Sequence, residues 1–351
     1  MRVGIIGGGG IAGAHYRGYL ANKAEVVALA DVNPATLAAR KQEWGLERVY
    51  ETYEELLEQP DLEAVSICTP NAYHHPATLA AARAGKHVLC EKPISLNLPQ
   101  AQEMIEVCRA AGVVLQIGHH MRSNAAARRT KTMIESGELG RLTFLRLRQA
   151  HDWGGAEAVR GVFGSLSTSG GGTLLDNGCH MFDLARYFGG NVAEVYARSA
   201  TLKFDIEVED TALVSLAFES GALGSVENAW TATGWEEGFW IYGTRGALEY
   251  TNRWGTPQLK VAFRESPFTT WGGTDVATFD FYANGVRVEN HTLHIQNFLA
   301  AIRGEREVIC TGEDGLKAVR LALCAYESAR RNAPVRPDEV FALAEPNAAA
   351  G

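Results

Sequence analysis

The run VGIIGGGGIAGAH, Val3 to His15, most limits what this chain can fold into. A short apolar strand, Arg2 to Ile6, ends directly in glycines, and Ile11 to Leu20 continues with helical character. Gly7 must turn the chain out of the strand. Gly9 lets the backbone approach a pyrophosphate, and Ala12 packs helix on strand. The first N–H groups of the helix, at Gly10 and Ile11, then face the anion. A second frame, Gly8-x-Gly10-x-x-Gly13, starts one residue later. The first is preferred because the turn must come where the strand stops. The next apolar strand is EVVALA, Glu25 to Ala30, and it ends at Asp31. A carboxylate there accepts hydrogen bonds from the adenosine ribose and repels a 2′-phosphate. Val32 and Asn33 follow with no arginine, so NAD is expected over NADP. Asn33-Pro34 reads as the N-cap and first turn of a helix.

The alternation continues. Ala64 to Ile67 is a strand running into Thr69-Pro70-Asn71, and an alanine-rich helix spans about Pro76 to Ala84. Val88 to Cys90 is a strand, Pro99 to Ala110 a helix and Val113 to Ile117 a strand. Such spacing implies right-handed βαβ units and a parallel sheet. Ligands bind at the carboxyl ends of parallel strands, where Gly7, Asp31, Thr69, Glu91 and Lys92 all fall. Past residue 120 the pattern changes. A helix at Arg128 to Ser136, a strand at Leu142 to Arg148 and a helix at Leu174 to Tyr187 lead into a run of strands. These are Val192 to Ser199, Thr211 to Phe218, Leu223 to Ala229, Phe239 to Tyr242 and Ala247 to Tyr250. Short turns between them indicate an antiparallel sheet. Late helices follow at about Thr292 to Arg303 and Gly312 to Arg331. The expected architecture is an α/β Rossmann dinucleotide-binding domain over 1–120, then an α+β domain over 121–340 with a large, mostly antiparallel sheet, then a tail over 341–351. The large sheet of the second domain could cover a partner's sheet, so a homodimer or homotetramer is expected.

Composition closes off other classes. The chain has 351 residues, 46% of them apolar, enough for two cores. A net charge of −8 with no long basic stretch argues against nucleic acid. No apolar run approaches the ~20 residues of a membrane span. The N-terminus has no signal-peptide pattern, so a cytoplasmic protein is expected. None of the six cysteines is spaced as CxxC, which reads as buried thiols with no metal role.

In the second half, Asp176 and His180 stand one helical turn apart and share a face. Histidine is the side chain that ordinarily titrates near neutrality, and a carboxylate one turn away can hold its charge or orient it. A capped helix with a satisfied histidine is the competing reading of this pair.

Together these stretches resemble the glucose-fructose oxidoreductase, inositol 2-dehydrogenase and rhizopine catabolism (Gfo/Idh/MocA) family. The likeness is carried by Val3 to His15, by Thr69-Pro70-Asn71 with His74, and by Gly85 to Val88 running into Glu91-Lys92-Pro93. GGTLLDNGCHMFD, Val208 to Thr211, Gly243 to Gly246 and Gly312 to Gly315 extend it over nearly the whole chain. The resemblance implies an active site between the two domains. Lys92 looks like the catalytic lysine at the nicotinamide and substrate, with a following proline bond that is often cis. His180 looks like the proton-transfer residue and Asp176 its carboxylate partner. Arg122 matches a position that often faces substrate; His119, His120 and Ser123 around it depart from the commoner aromatic and apolar choices. Pro70, Asn71 and His74 join the candidate cofactor contacts, and Glu91 is expected to hold the loop or the nicotinamide ribose. His120 and the loop His151-Asp152-Trp153 are candidate sugar contacts; a plain surface loop is the competing reading of the latter.

The implied activity is NAD-dependent hydride transfer from a secondary alcohol of a sugar, sugar derivative or cyclic polyol. The alternatives are an NADPH-dependent reductase of keto- or anhydro-sugars, a glycoside C3 oxidoreductase, and a non-catalytic NAD-binding sensor.

Overall fold

The computed structural model describes residues 1–152, 159–253, 255–263, 276–279 and 289–342. Trp153 and residues 343–351 of the expected tail lie outside them. The chain forms two compact units, Met1–Asn124 with Arg287–Leu316, and Ala125–Val286 with Lys317–Gly351.

In the first unit, β1 (Arg2–Ile6), β2 (Glu25–Ala30), β3 (Arg48–Tyr50), β4 (Ala64–Ile67), β5 (His87–Cys90) and β6 (Leu115–Ile117) form one sheet. Its order is β3-β2-β1-β4-β5-β6, and every pairing is parallel. Helices α1 (Gly10–Ala21), α2 (Pro34–Trp44), α3 (Tyr53–Leu57), α4 (His74–Arg83) and α5 (Leu98–Ala110) run between strands. The strand order reverses between β1 and β4, and that switch point is where such sheets take a ligand. The helix start expected at Asn33-Pro34 is present. Asn33 Oδ1 accepts from the Ala35 and Thr36 N–H groups at 2.9 and 3.3 Å, and Pro34 opens α2. The sequence reading omitted β3 and α3. β3 is a three-residue edge strand, half-buried throughout, so it carries no apolar run.

The second unit holds α6 (Ala125–Glu135), α7 (Leu166–Ser169), α8 (Thr173–Gly189) and an eight-stranded sheet. Its strands are β7 (Leu142–Ala150), β8 (Val192–Ala200), β9 (Thr211–Phe218), β10 (Leu223–Ala229), β11 (Glu236–Gly243), β12 (Gly246–Arg253), β13 (Thr256–Phe263) and β14 (Val276–Phe279). They lie in the order β14-β13-β12-β11-β7-β10-β9-β8. Only β7 and β10 pair in parallel; the rest are antiparallel, the mostly antiparallel sheet expected from the short turns. One face buries Leu145, Leu147, Val214, Leu216 and Val226 under α8. The other exposes Phe144, Leu213, Leu223 and Tyr242.

The late helix α9 (Asn290–Ile302) corrects the expected boundary of 121–340: it belongs to the first unit. Ile295, Phe298 and Leu299 join the core of Val3, Ile5, Ala12, Tyr19 and Leu29, and Asn22 Nδ2 donates to Thr292 O at 2.9 Å. Long-range packing on α1 leaves no local pattern, so sequence order assigned the helix wrongly. The last helix, α10 (Gly312–Arg331), contains the division between units, after Leu316. Among the described residues, no helix is long and apolar enough to cross a membrane.

α9 also brings titratable groups into this core. Burial pushes the His291 ring down to about 4 and His294 down to about 3, and it holds His120 well below its usual 6.5. The native state keeps these rings neutral, while the unfolded chain takes up protons near 6.5. Their contribution to stability is therefore complete above pH 6.5 and is lost as pH falls toward 4, at about 1.4 kcal/mol per pH unit for each such ring. Thermal unfolding should show Tm falling steadily from pH 6.5 to 4.5, with a shallower slope in His294→Gln. A Tm that is flat across this range would contradict the buried neutral rings.

Candidate active site

The cofactor half is built where β1 meets α1. Gly7 has φ +92°, and a Cβ there would come within 2.7 Å of Cys68 O, so the turn admits only glycine. A Cβ on Gly9 or Gly10 would meet nothing within 4 Å, which leaves the open space that a pyrophosphate requires. Gly9 caps α1 with no side-chain hydrogen bond, and the first turn carries no acid, so its N–H groups suit an anion. Ala12 is fully buried, as the third position of the motif demands.

Asp31 stands at the end of β2. Its Oδ2 accepts from Gly8 N–H at 2.6 Å and its Oδ1 from Asn33 N–H at 2.8 Å. Sequence reasoning missed Arg40. Its Nε donates to Gly8 O at 2.9 Å, NH2 to Gly9 O at 3.1 Å and NH1 to Glu43 at 2.5 Å. An arginine thus lies beside the glycine loop, with each of its three nitrogens donating one hydrogen bond within the protein. The signal was obscure because Arg40 reaches back a long way along the chain from the middle of α2.

At the end of β4, Thr69 Oγ1 is buried and without a protein partner, a polar atom in the strand-end crevice. Pro70 and Asn71 lead into the short 3-10 turn Asn71–Tyr73. His74 is 1% exposed; its Nε2 lies 3.0 Å from Thr69 O and its Nδ1 2.7 Å from Pro93 O. A neutral imidazole carries one N–H, so with the proton on Nδ1, at the shorter contact, the ring donates to Pro93 O of the lysine loop and lies against the Thr69 loop. The open glycine turn, the uncapped helix and the unpartnered threonine fit a dinucleotide.

Lys92 follows β5, and the Lys92–Pro93 bond is cis. Its backbone N–H donates to Glu91 Oε2 at 3.2 Å. Glu91 is 5% exposed, with Oε1 2.9 Å from His15 Nε2. Burial is the largest single influence and opposes its charge, but the His15 hydrogen bond together with the His15, His291 and His120 rings outweighs it and holds the carboxyl well below the usual range. These contacts join the carboxylate to helix α1 and to the lysine loop. Arg122 is buried in the same unit; its NH1 donates to Ile309 O and Asp314 Oδ2, both at 3.0 Å. Its first employment is to brace the start of α10. His120 stacks on His291 with ring centroids 3.9 Å apart.

The second unit carries Asp176 and His180 on α8, both buried. Asp176 Oδ2 accepts from Trp230 Nε1 at 3.3 Å. The Gly172 N-cap has no side chain, and Glu209 supplies the cap from the loop that precedes β9. Its Oε1 accepts from Leu174 N–H at 2.8 Å and Tyr326 OH at 2.9 Å, and its Oε2 from Gly172 N–H at 3.1 Å. His151, at the end of β7, stacks flat on Trp235 (4.8 Å, 2°), and its Nε2 lies 3.1 Å from Asn177 Oδ1. Asp152 is half-buried beside it. Asn177 Nδ2 and Asn228 Oδ1 are buried polar atoms without protein partners, and no local signal marked either residue. All six cysteines are buried; burial pushes the Cys108 and Cys324 thiols up to about 12, outside a nucleophile's range.

Known proteins match both units. Residues 1–119 match the oxidoreductase family model with an NAD-binding Rossmann fold, and 127–249 match the GFO/IDH/MocA C-terminal domain model. The myo-inositol 2-dehydrogenase of Thermotoga maritima is 30% identical over 97% of this chain and 100% of its own length. The 1,5-anhydro-D-fructose reductase of Ensifer adhaerens is 33% identical, covering 93% of this chain and 96% of its own. The solved structure of a levoglucosan dehydrogenase in complex with NADH superposes with a TM-score of 0.88 at 25% identity, over 96% of this chain and 98% of that one. With its glycine turn, Asp31 and paired domain matches, this chain is an NAD-binding oxidoreductase of the Gfo/Idh/MocA family.

Proposed function

We propose that this protein transfers a hydride between NAD and a secondary alcohol of a sugar, sugar derivative or cyclic polyol. The observation that carries the substrate class is a pair of buried polar atoms in the second unit. Asn177 Nδ2 and Asn228 Oδ1 are a buried donor and a buried acceptor without partners. Buried polar groups are normally satisfied, so a ligand rich in hydroxyls suits them. The Trp235–His151 stack adds a flat aromatic surface for the C–H face of a ring. The relatives named above act on an inositol, an anhydro-sugar and levoglucosan, which supports the same reading.

Bound NAD supplies the two-electron acceptor. The chain's own residues manage the oxygen and its proton. Lys92 donates a hydrogen bond to the hydroxyl oxygen and stabilises negative charge as the O–H bond breaks. His180 takes that proton as general base, and the Asp176 carboxylate one turn away supports the imidazolium. The products are a ketone, the reduced cofactor and a proton held on His180. Gly7, Gly9, Gly10, Ile11, Ala12, Asp31 and Thr69 would hold the cofactor.

The exposed face of the eight-stranded sheet supports a homo-oligomer. Phe144 and Tyr242 are register partners and both are exposed, beside an Arg146–Glu227 ion pair at 2.7 Å. Light scattering that returned a monomer at micromolar concentration would remove that part of the reading.

The test of the activity is a titration of NAD and NADP against inositols, aldoses, anhydrosugars and glycosides, following the absorbance of the reduced nicotinamide. Turnover with NAD and one polyol class is expected. Exclusive use of NADP would overturn the reading of Asp31, and NAD binding without turnover in either direction would favour a non-catalytic sensor.

A further inference from the structure

We propose that His15 is a positioning residue for Lys92, acting through Glu91. The inference rests on the reading of Lys92 as the group that hydrogen-bonds the reacting oxygen.

A single buried chain of hydrogen bonds links helix α1 to the lysine loop. Tyr19 OH lies 2.7 Å from Ser66 Oγ, Ser66 Oγ lies 2.9 Å from His15 Nδ1, and His15 Nε2 lies 2.9 Å from Glu91 Oε1. Glu91 Oε2 then accepts from Lys92 N–H at 3.2 Å. One tautomer satisfies every contact. Tyr19 donates to Ser66, Ser66 donates to His15 Nδ1, and His15 Nε2–H donates to the carboxylate. Exposures of Tyr19 (0%), Ser66 (0%), His15 (2%) and Glu91 (5%) leave no solvent-facing end at the tyrosine. Such a chain fixes geometry; it has no outlet through which to conduct protons.

The surroundings hold Glu91 equally firmly. Gly118 lies behind it, and a Cβ there would come within 2.8 Å of Oε1. His291 from α9 and His120 from the turn after β6 stack on each other at 3.9 Å, and the His15 and His291 ring centroids are 6.0 Å apart. The charged and titratable groups around Glu91 are His15, His74, His120, His291, His294, Cys68, Cys90 and Lys92. On the far side of the lysine, Pro93 O is held by the buried His74 ring. Lys92 is thus gripped on both sides by buried imidazoles, one through a carboxylate and one through a carbonyl. A lysine side chain takes its direction from its backbone, so slack at Glu91 becomes misplacement of the ammonium. A misplacement of about 1 Å is enough to lower a rate about a hundredfold.

The test uses the full chain loaded with NAD and compares His15→Leu, His15→Gln, Glu91→Gln and Lys92→Met. With the polyol turned over in the panel above, His15→Leu should lose about a hundredfold in kcat. Its KM and NAD dissociation constant should stay within about threefold. His15→Gln, whose amide can donate to Glu91 and accept from Ser66, should recover most of the loss. A second readout needs no substrate: the pH midpoint of Lys92 acetylation by acetic anhydride, followed by peptide mass spectrometry. Glu91→Gln removes the adjacent anion, so that midpoint should fall by about half a unit or more. This readout also serves if His15→Leu does not fold. A His15→Leu enzyme within threefold of the parent, beside an inactive Lys92→Met, would overturn the inference and leave the lysine's role standing. An unmoved acetylation midpoint in Glu91→Gln would overturn it as well. An active Lys92→Met would overturn both.

Discussion

Replacing Lys92 with methionine is expected to lower turnover by about a thousandfold or more while leaving NAD affinity within about threefold. Methionine keeps the length and apolar stem of lysine but cannot donate a hydrogen bond to the reacting oxygen. The groups that would hold the cofactor's pyrophosphate and ribose stand at the ends of β1 and β2, and the substitution touches none of them. Steady-state kinetics with the identified polyol, together with NAD titration by protein fluorescence, check both halves of the statement. Lys92→Arg should also fail, because a planar guanidinium does not place a donor where a compact ammonium does. Full activity in Lys92→Met would sink the proposed chemistry.

The second large effect belongs to Gly172. A Cβ at this residue would overlap the carbonyl oxygen of Glu209, and would lie 2.8 Å from its carbonyl carbon and 2.9 Å from its Cδ. That carbonyl accepts from Thr173 N–H at 3.0 Å, and the Glu209 carboxylate caps the next turn of α8. The overlap is with backbone, which cannot swing aside as a flexible side chain would. Gly172→Ala should therefore lose about 4 kcal/mol or more, through overpacking and loss of the cap together. Denaturant unfolding of the purified variant reads this directly. Gly9→Ala is the matched control. A Cβ at Gly9 meets nothing within 4 Å, so the variant should keep the parent's unfolding midpoint and lose NAD affinity instead. Equal midpoints for the Gly172 variant and the parent would show that the turn before α8 relaxes at little cost.

The parts of this protein that were legible in its sequence are those whose signal is local. β1, the Gly7 turn, α1, Asp31 and the Asn33 cap lie in one continuous stretch, and each has a residue type that its backbone demands. The helix that carries Asp176 and His180 one turn apart was legible from its own periodicity. The sheet of the second unit was legible in β9 and β10, where alternation and turns agree, and not in β13 or β14. What sequence order could not reveal is partnership across distance. His15 meets Glu91 across 76 positions, Arg122 meets Asp314 across 192, and Glu209 meets Tyr326 across 117. In each case the only local trace is a polar residue in a buried setting, such as Ser66 within the apolar AVSI of β4, and that trace does not name its partner. The allegiance of α9 was hidden for the same reason.

That allegiance bears on how the protein is made. The chain leaves the first unit after Asn124 and returns at Arg287. A ribosome therefore extrudes all six strands of the nucleotide-binding sheet well before it delivers Ile295, Phe298 and Leu299, the side chains that close over Tyr19 and Val3. During that interval the nascent sheet exists with one flank of its core open. Its completion waits for a helix encoded on the far side of the other unit, so neither gene truncation nor simple domain excision can yield a finished first half.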